Sequence, residues 1–210
     1  SVEGAYYAKQ FMQLYAQGRI GDLPDNSHLP VMTIWDIGVG DSTAIWFVRQ
    51  VGTEYHVIDY YENSGEGLRH YMKVLKDRGY TYGQHFAPHD IDNREFGSDA
   101  QSRREIARKG YDIDGQRYTI NFTVVKRSSV DEGIEAAREV LTKCAFDADK
   151  CEKGLSCLEN YRKEWDDKRG CWKDRPLHDW SSHGADAFRY FAQAVGKPKP
   201  AFSTNLRTTL

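Results

Sequence analysis

Three strand-like segments near the start of the chain constrain its fold more than any other feature. Each is rich in β-branched and aromatic residues and is bounded by glycine, acidic or amide residues; they span Val31–Ile37, Thr43–Val51 and Tyr55–Tyr61. The connectors between them, at residues 38–42 and 52–54, are short. Because segments joined so closely pair with their neighbours, the sequence predicts an antiparallel three-stranded meander.

The rest of the chain alternates between helical and strand-like periodicity. The helical segments are Glu3–Gln17, Leu68–Leu75 with Gly79 as its C-terminal glycine, Asp99–Lys109, Asp131–Cys144, Cys151–Lys163 and Ser181–Val195. The strand-like segments are Tyr82–Ala87 and Tyr118–Val125, and residues 164–175 are typical of a hairpin. A meander followed by strands that alternate with helices predicts an α/β domain with a mixed sheet.

Length and composition limit the class of protein. The 210 residues fit one globular domain, and 40% hydrophobic with 29% charged residues is typical of a folded protein. No apolar run approaches the roughly 20 residues that span a membrane, and no segment resembles a signal peptide. The formal net charge of −2 argues against tight, autonomous binding of nucleic acid, although a local basic face can survive this averaging.

Cysteine use is sparse, at Cys144, Cys151, Cys157 and Cys171, with no C-x-x-C pair. A disulfide framework is unusual for a chain of this length, so we expect reduced thiols in a cytoplasmic compartment. A zinc site built from these residues remains a minor alternative.

Asp36 is the most informative single residue. Side chains alternate along a strand, so Asp36 shares a face with Met32 and Ile34. An ionised carboxylate beside an apolar face is costly unless a cation or hydrogen-bond donors receive it. Asp36 is therefore either a metal ligand on a rigid strand or a strand-end acid that accepts hydrogen bonds from the following glycine-rich turn.

Two further acids are candidates, each with an ordinary alternative. Asp90 follows the segment Tyr82–Ala87, where a purely structural role in the turn is common, and Asp92 is its nearest rival. Asp186 lies on the last predicted helix, three residues after His183 and hence on the same helical face. A solvated position on the helix surface is the ordinary interpretation of Asp186.

The order of these features carries a resemblance to a known superfamily. An acid in the first strand, a meander, a helix, a strand followed by an acid, and a late helix with His and Asp together resemble the RNase H-like nucleases. More narrowly, the chain resembles the nuclease domain of tailed-bacteriophage large terminases, with the headful-packaging, P22-like group a close match. The segments that carry this likeness are Gly4–Tyr7, Gly18–Ile20, Trp35–Gly38, Asp41–Ala44 and His183–Tyr190.

The resemblance implies a fold and a metal site. It implies an RNase H-like sheet of three antiparallel strands then parallel strands, flanked by helices, with residues 1–30 as an N-terminal helix and linker, 31–196 as the nuclease domain and 197–210 as a flexible tail. The implied ligands of two Mg²⁺ or Mn²⁺ ions are Asp36, Asp90 and Asp186, with His183, Asp41 and Asp92 as auxiliary residues. The implied reaction is largely sequence-nonspecific endonucleolytic cleavage of concatemeric double-stranded viral DNA during genome packaging.

Two basic segments are candidates for contact with DNA phosphates. One lies on a predicted helix and the other in the predicted hairpin, which also carries Trp165 and Trp172; the residues are Arg103, Arg104, Arg108, Lys109, Lys168, Arg169 and Lys173. The ordinary interpretation of both segments is solvated charge over a small aromatic cluster.

The sequence contains no G-x-x-x-x-G-K-[ST] phosphate loop. The resemblance therefore implies that the ATPase domain of the full-length protein is a partner outside this chain, together with the portal protein and the small terminase subunit, in the host cytoplasm and without a membrane. Alternatives on the same fold are a junction resolvase, a ribonuclease H or a non-catalytic docking module. A transition-metal site at His85, His89, His178 and His183 is a further alternative with poor spacing.

Overall fold

A computed structural model describes residues 2–38, 42–97 and 99–196. The helices within these ranges are α1 (Ala8–Ala16), α2 (Leu68–Arg78), α3 (Arg103–Lys109), α4 (Val130–Leu141), α5 (Glu152–Asn160) and α6 (Ser182–Val195). The strands are β1 (Ile20–Gly21), β2 (Val31–Ile37), β3 (Ser42–Val51), β4 (Glu54–Ser64), β5 (Tyr82–Ala87), β6 (Tyr111–Ile113), β7 (Gln116–Tyr118), β8 (Phe122–Val124), β9 (Cys144–Asp147), β10 (Lys163–Asp166) and β11 (Cys171–Pro176). A 3-10 turn spans His89–Asp92.

The centre of the fold is a mixed sheet. Among the described residues, seven strands pair in the order β1-β9-β4-β3-β2-β5-β8. β2, β3 and β4 form the antiparallel meander, β5 runs parallel to β2, and β8 runs parallel to β5. The predicted RNase H-like arrangement is therefore confirmed, and two small hairpins, β6–β7 and β10–β11, lie outside the sheet. No helix in the described ranges has the length and apolarity needed to cross a membrane.

Each face of the sheet carries its own hydrophobic core. Alternation along β2 sends Ile34 into a core formed with α1, α4, α5 and α6, and sends Trp35 into a second core with α2 and α3. Trp46 and Phe188 fill the first core with full burial. Asp36 lies on the same face of β2 as Ile34, so it points towards α6 rather than towards α2.

Several predicted boundaries were wrong because tertiary pairing decided them. The first helix begins at Ala8 rather than Glu3, because Ala5 forms an isolated bridge with Arg162. The predicted strand Tyr118–Val125 divides into β7 and β8, which pair with different partners. The predicted helix Asp131–Cys144 ends at Leu141, because Cys144 begins β9 and pairs with Tyr55.

The segment before α3 also differs from the prediction. The helix begins at Arg103 rather than Asp99, and Ser102 and Glu105 form a reciprocal capping box at its start. Asp99 and Ala100 adopt φ values of 53° and 57°, which are incompatible with a right-handed helix. The predicted hairpin within residues 164–175 is confirmed, and residues 197–210 lie outside the described ranges.

Candidate active site

Asp36 occupies the end of the central strand. β2 pairs with β3 on one side and with β5 on the other, so the backbone around Asp36 is held by two ladders. The residue is 8% exposed, and His183 of α6 places its Nδ1 atom 3.0 Å from Asp36 Oδ2. Asp36 Oδ1 has no hydrogen bond to any described residue.

The surroundings of Asp36 disfavour its charged form. Burial is the largest cause that raises the pKa of Asp36, to about 6, and the negative charges of Asp186 and Asp90 raise it further against the hydrogen bond from His183. The hydrogen bond to Asp36 in turn raises the pKa of His183, with smaller contributions from the charges of Asp36, Asp186 and Glu62. Asp90 and Asp186 are thus both close enough for their charges to act on Asp36.

Asp90 is placed by the strand that runs beside β2. β5 ends at Ala87, and Pro88 then leads into the 3-10 turn His89–Asp92. Because β2 and β5 are parallel, the turn and Asp36 lie at the same edge of the sheet. Asp90 Oδ1 is buried and has no hydrogen-bond partner in the described ranges. A buried carboxylate oxygen without a partner is costly, and a metal ligand lacking its ion has this property.

Asp186 is held by Arg189 of its own helix and by Tyr161, which follows α5. Its Oδ1 atom accepts a hydrogen bond from Arg189 Nη2 at 2.8 Å and one from the Tyr161 hydroxyl at 3.5 Å. The Arg189 side chain is only 8% exposed, and its Nε has no partner among the described residues. Asp186 Oδ2 forms no hydrogen bond within the described part of the chain. Arg189 and Tyr161 therefore fix one oxygen of Asp186 and leave the other open.

The auxiliary residues of the sequence prediction have different positions. His183 contacts Asp36 directly, as described above. Both oxygens of Asp92 lie 3.3–3.4 Å from Arg104 Nη1, and the Asp92 side chain is half exposed, so the geometry favours Asp90 over Asp92 as the middle acid. Asp41 lies outside the described residues.

Sequence reasoning missed three residues of this region: Glu62, Tyr161 and Arg189. In the register of the meander, Asp36 pairs with Ala44 and Ala44 pairs with Glu62, so all three lie on one face. Aligning the strands through their short connectors would have revealed Glu62. The i, i+3 spacing from Asp186 was the available signal for Arg189. No sequence signal placed Tyr161 near Asp186, because the two lie on separate elements.

The carboxylates are not gathered into a ready-made ligand shell. Within residues 2–38, 42–97 and 99–196, no group of three or more His, Cys, Asp or Glu side chains has the geometry to hold a metal ion. The alternative cluster of four histidines is therefore not formed in these ranges; His85 instead contacts Thr33 through Nδ1 at 2.6 Å. The four cysteines are free, which excludes a disulfide between them. The chemistry of the donors still suits Mg²⁺ or Mn²⁺, because Asp36, Asp90 and Asp186 each keep an unbonded oxygen.

The predicted basic residues lie in different environments. Arg103 turns inwards, where it pairs with Glu95 and donates to the Gly38 carbonyl at 3.3 Å. Arg104 and Arg108 line a surface cavity with Asp92, and Lys109 is exposed at the end of α3.

In the hairpin, Lys173 pairs with Glu164, while Lys168 and Arg169 occupy the exposed turn. The rings of Trp165 and Trp172 pack edge to face, with centroids 4.9 Å apart.

Comparison with solved structures finds this fold in large terminases of bacteriophages. The large terminase of a thermophilic bacteriophage, solved in complex with ATP-γ-S, gives a TM-score of 0.62 with 18% identity over 90% of this chain and 45% of that chain. The nuclease domain of the P22 large terminase gives 0.55 with 15% identity over 83% of this chain and 85% of that one. The large terminase nuclease of thermophilic phage G20c, with bound cobalt or magnesium, gives 0.54 with 15% identity over 91% and 98%.

This chain has the fold of the large-terminase nuclease domains. It spans less than half the length of the large terminase solved with ATP-γ-S and nearly all of the G20c nuclease. No family model matches the sequence, and the search of curated proteins also found no match. The likeness is therefore one of structure, at 15–18% identity in these three comparisons.

Proposed function

We propose that this chain is a metal-dependent endonuclease that cleaves double-stranded DNA. One observation supports this function above all: the charges of Asp90 and Asp186 both act on the buried Asp36, and each of the three acids keeps an oxygen without a hydrogen bond in the described ranges. The shared fold with terminase nucleases, one of them solved with bound magnesium, supports the same reaction class.

The roles of the protein groups follow from their contacts. Asp36, Asp90 and Asp186 would hold the Mg²⁺ or Mn²⁺ ions. When bound, such ions supply an activated water and neutralise charge on the leaving 3′-oxygen. His183 contacts Asp36 Oδ2 and leaves Oδ1 without a hydrogen bond, and Arg189 binds Asp186 Oδ1 and leaves Oδ2 without one.

The proposed biological setting is viral genome packaging. The chain would cut concatemeric double-stranded DNA without marked sequence preference, because an RNase H-like site contacts the reacting phosphate rather than base edges. Its proposed partners are DNA, the terminase ATPase domain of the full-length protein, the portal protein and the small terminase subunit, in the host cytoplasm.

A nicking assay tests the proposal. We expect supercoiled plasmid to be nicked in Mn²⁺ or Mg²⁺ but not in chelator, and we expect Asp36→Asn to abolish nicking. Asp112→Asn is a matched control, because Asp112 lies on β6 with a side chain 77% exposed. Undiminished nicking by Asp36→Asn would show that the catalytic assignment is wrong. Preference for a four-way junction or an RNA–DNA hybrid would favour a resolvase or a ribonuclease H instead.

A further inference from the structure

A surface cavity lies beside the turn that carries Asp90. It has a volume of about 450 Å³ and is lined by residues of the 3-10 turn, α3 and the start of β8. Three of the lining residues are Arg94, Arg104 and Arg108, and we call the space the arginine cavity. Asn121 adds a side-chain amide to the lining.

The acids of the arginine cavity are already engaged. Glu105 accepts the backbone N–H of Ser102 in the capping box of α3, and Asp92 pairs with Arg104. Arg94 and Arg108 form no ion pair or side-chain hydrogen bond with any residue in the described ranges. The charges of both arginines act on Glu105, but neither guanidinium forms an ion pair within the described residues, on a chain whose net charge is negative.

Guanidinium groups without an ion-pair partner suit a phosphate. Arginine presents a planar set of donors that matches phosphate oxygens, and such charge-assisted hydrogen bonds are stronger than neutral ones. Arg104 and Arg108 are four residues apart on α3 and so lie on one face of the helix. Asp92, which lines the cavity, belongs to the same four-residue turn as Asp90.

We infer that the arginine cavity binds a backbone phosphate of the DNA substrate. This inference rests on the proposed nuclease function and names the contacts that hold its substrate. It adds Arg94 and Asn121 to the DNA-binding residues. It removes Arg103, whose guanidinium is committed to Glu95 and to the Gly38 carbonyl.

Salt-dependent binding of a labelled DNA duplex tests the inference. The measurement is fluorescence anisotropy in Ca²⁺, which binds oxygen ligands, with gel electrophoresis to verify that the duplex stays intact. The test variant is Arg94→Gln with Arg108→Gln. The control is Lys9→Gln with Lys143→Gln, which removes the same charge from exposed positions near the other edge of the sheet. Thermal unfolding verifies that both variants fold.

The expected result is specific to the test variant. Loss of the contact to this one phosphate should reduce the slope of log Kd against log salt by about 1 and weaken low-salt binding by about tenfold. In the nicking assay, the test variant should raise KM while kcat stays within about threefold. The control variant should resemble the unaltered chain in all three quantities.

Two outcomes would overturn the inference while leaving the nuclease proposal intact. The first is equal slopes for the test and control variants, with plasmid nicking retained. The second is that inorganic phosphate or a mononucleotide binds with the same dependence on Arg94 and Arg108 while duplex binding is unchanged, which would make the cavity a small-anion site. Absence of metal-dependent nicking in the unaltered chain would instead contradict the proposed function.

Discussion

The two sides of the candidate site are built differently. On one side, Asp36 lies on a strand that is paired on both sides, and His183 contacts one of its oxygens. Asp186 lies on a 14-residue helix, and Arg189 binds one of its oxygens. On the other side, Asp90 lies in a four-residue 3-10 turn, and its buried Oδ1 has no partner in the described ranges.

Asp36 and Asp186 are therefore preorganised, whereas Asp90 lacks a counter-charge. Packing and hydrogen bonds already orient Asp36 and Asp186, so an ion would meet them in place. Asp90 has only the turn to position it, and its unpartnered oxygen makes the free protein less stable than it would be with a cation. Substitutions on the two sides should therefore affect activity and stability in different proportions.

The largest expected effect distinguishes Asp90 from its neighbour Asp92. Asp90→Asn should reduce the initial rate of Mn²⁺-dependent nicking by at least about 100-fold, because it replaces an ion ligand. Chemical denaturation of the metal-free protein should show no loss of stability, because the substitution removes a buried, unpartnered charge. Asp92→Asn removes only a half-exposed ion pair with Arg104, so its nicking rate should stay within about threefold. The opposite ranking would assign the middle ligand to Asp92.

A smaller effect is expected at Arg189 on the preorganised side. Arg189→Met should weaken Mn²⁺ binding by about tenfold, because the open oxygen of Asp186 loses its fixed orientation. Arg189→Lys should recover part of this loss, which a purely structural role would not predict. Isothermal titration with Mn²⁺ measures both values. Arg138→Met is the control, because Arg138 contacts the Tyr6 carbonyl and not Asp186; Mn²⁺ affinity as low in this variant as in Arg189→Met would argue against the orienting role.

His85, on the strand β5 that leads into the Asp90 turn, should make the stability of the protein depend on pH. Burial lowers the pKa of His85 to about 4 from an ordinary value of 6.5. The unfolded chain therefore binds a proton at higher pH than the folded chain does. The contribution of His85 to the free energy of unfolding is fully present above pH 6.5. It is lost as the pH falls towards 4, by at most roughly 3 kcal/mol.

His85→Asn should remove this contribution to the pH dependence, as measured by denaturation at several pH values between 4 and 7. The other ionisable groups are the same in both proteins, so the difference between the two curves isolates His85. Parallel curves for the variant and the unaltered chain would show that His85 titrates normally.

The smallest expected effect concerns the helix that supports the arginine cavity. Ser102→Ala removes the side chain that accepts the Glu105 N–H and should cost about 1 kcal/mol of unfolding free energy. Ser128→Ala is the control, because Ser128 is exposed, does not cap α4, and forms only surface hydrogen bonds with Ser129 and Gln193; its cost should stay within about 0.5 kcal/mol. Equal costs for the two variants would show that the cap contributes nothing to α3.

Local pattern was sufficient for much of this molecule. The bounds of β2 and β5 were predicted correctly because buried, β-branched and aromatic residues end at clear turn signals. The short strand β9 was missed and β8 was predicted with bounds that were too wide, because three or four residues carry too little periodicity to reveal pairing with distant partners. Their positions depend on the sheet as a whole.

The candidate site divides in the same way. Asp36 could be singled out because a carboxylate within an apolar strand conflicts with burial. Glu62 was missed because its proximity to His183 follows from the register across three strands, and Tyr161 because its contact with Asp186 joins two separate elements. Residues that act through tertiary contacts leave no mark in their own segment of sequence.

Direct titration with Mn²⁺ tests most directly whether acids from β2, β5 and α6 share divalent ions. Isothermal titration should compare the unaltered chain with Asp36→Asn and with the exposed control Asp112→Asn. We expect Asp36→Asn to weaken Mn²⁺ binding by at least about 100-fold and Asp112→Asn to leave it unchanged. Equal Mn²⁺ affinity in Asp36→Asn and in the unaltered chain would contradict this expectation.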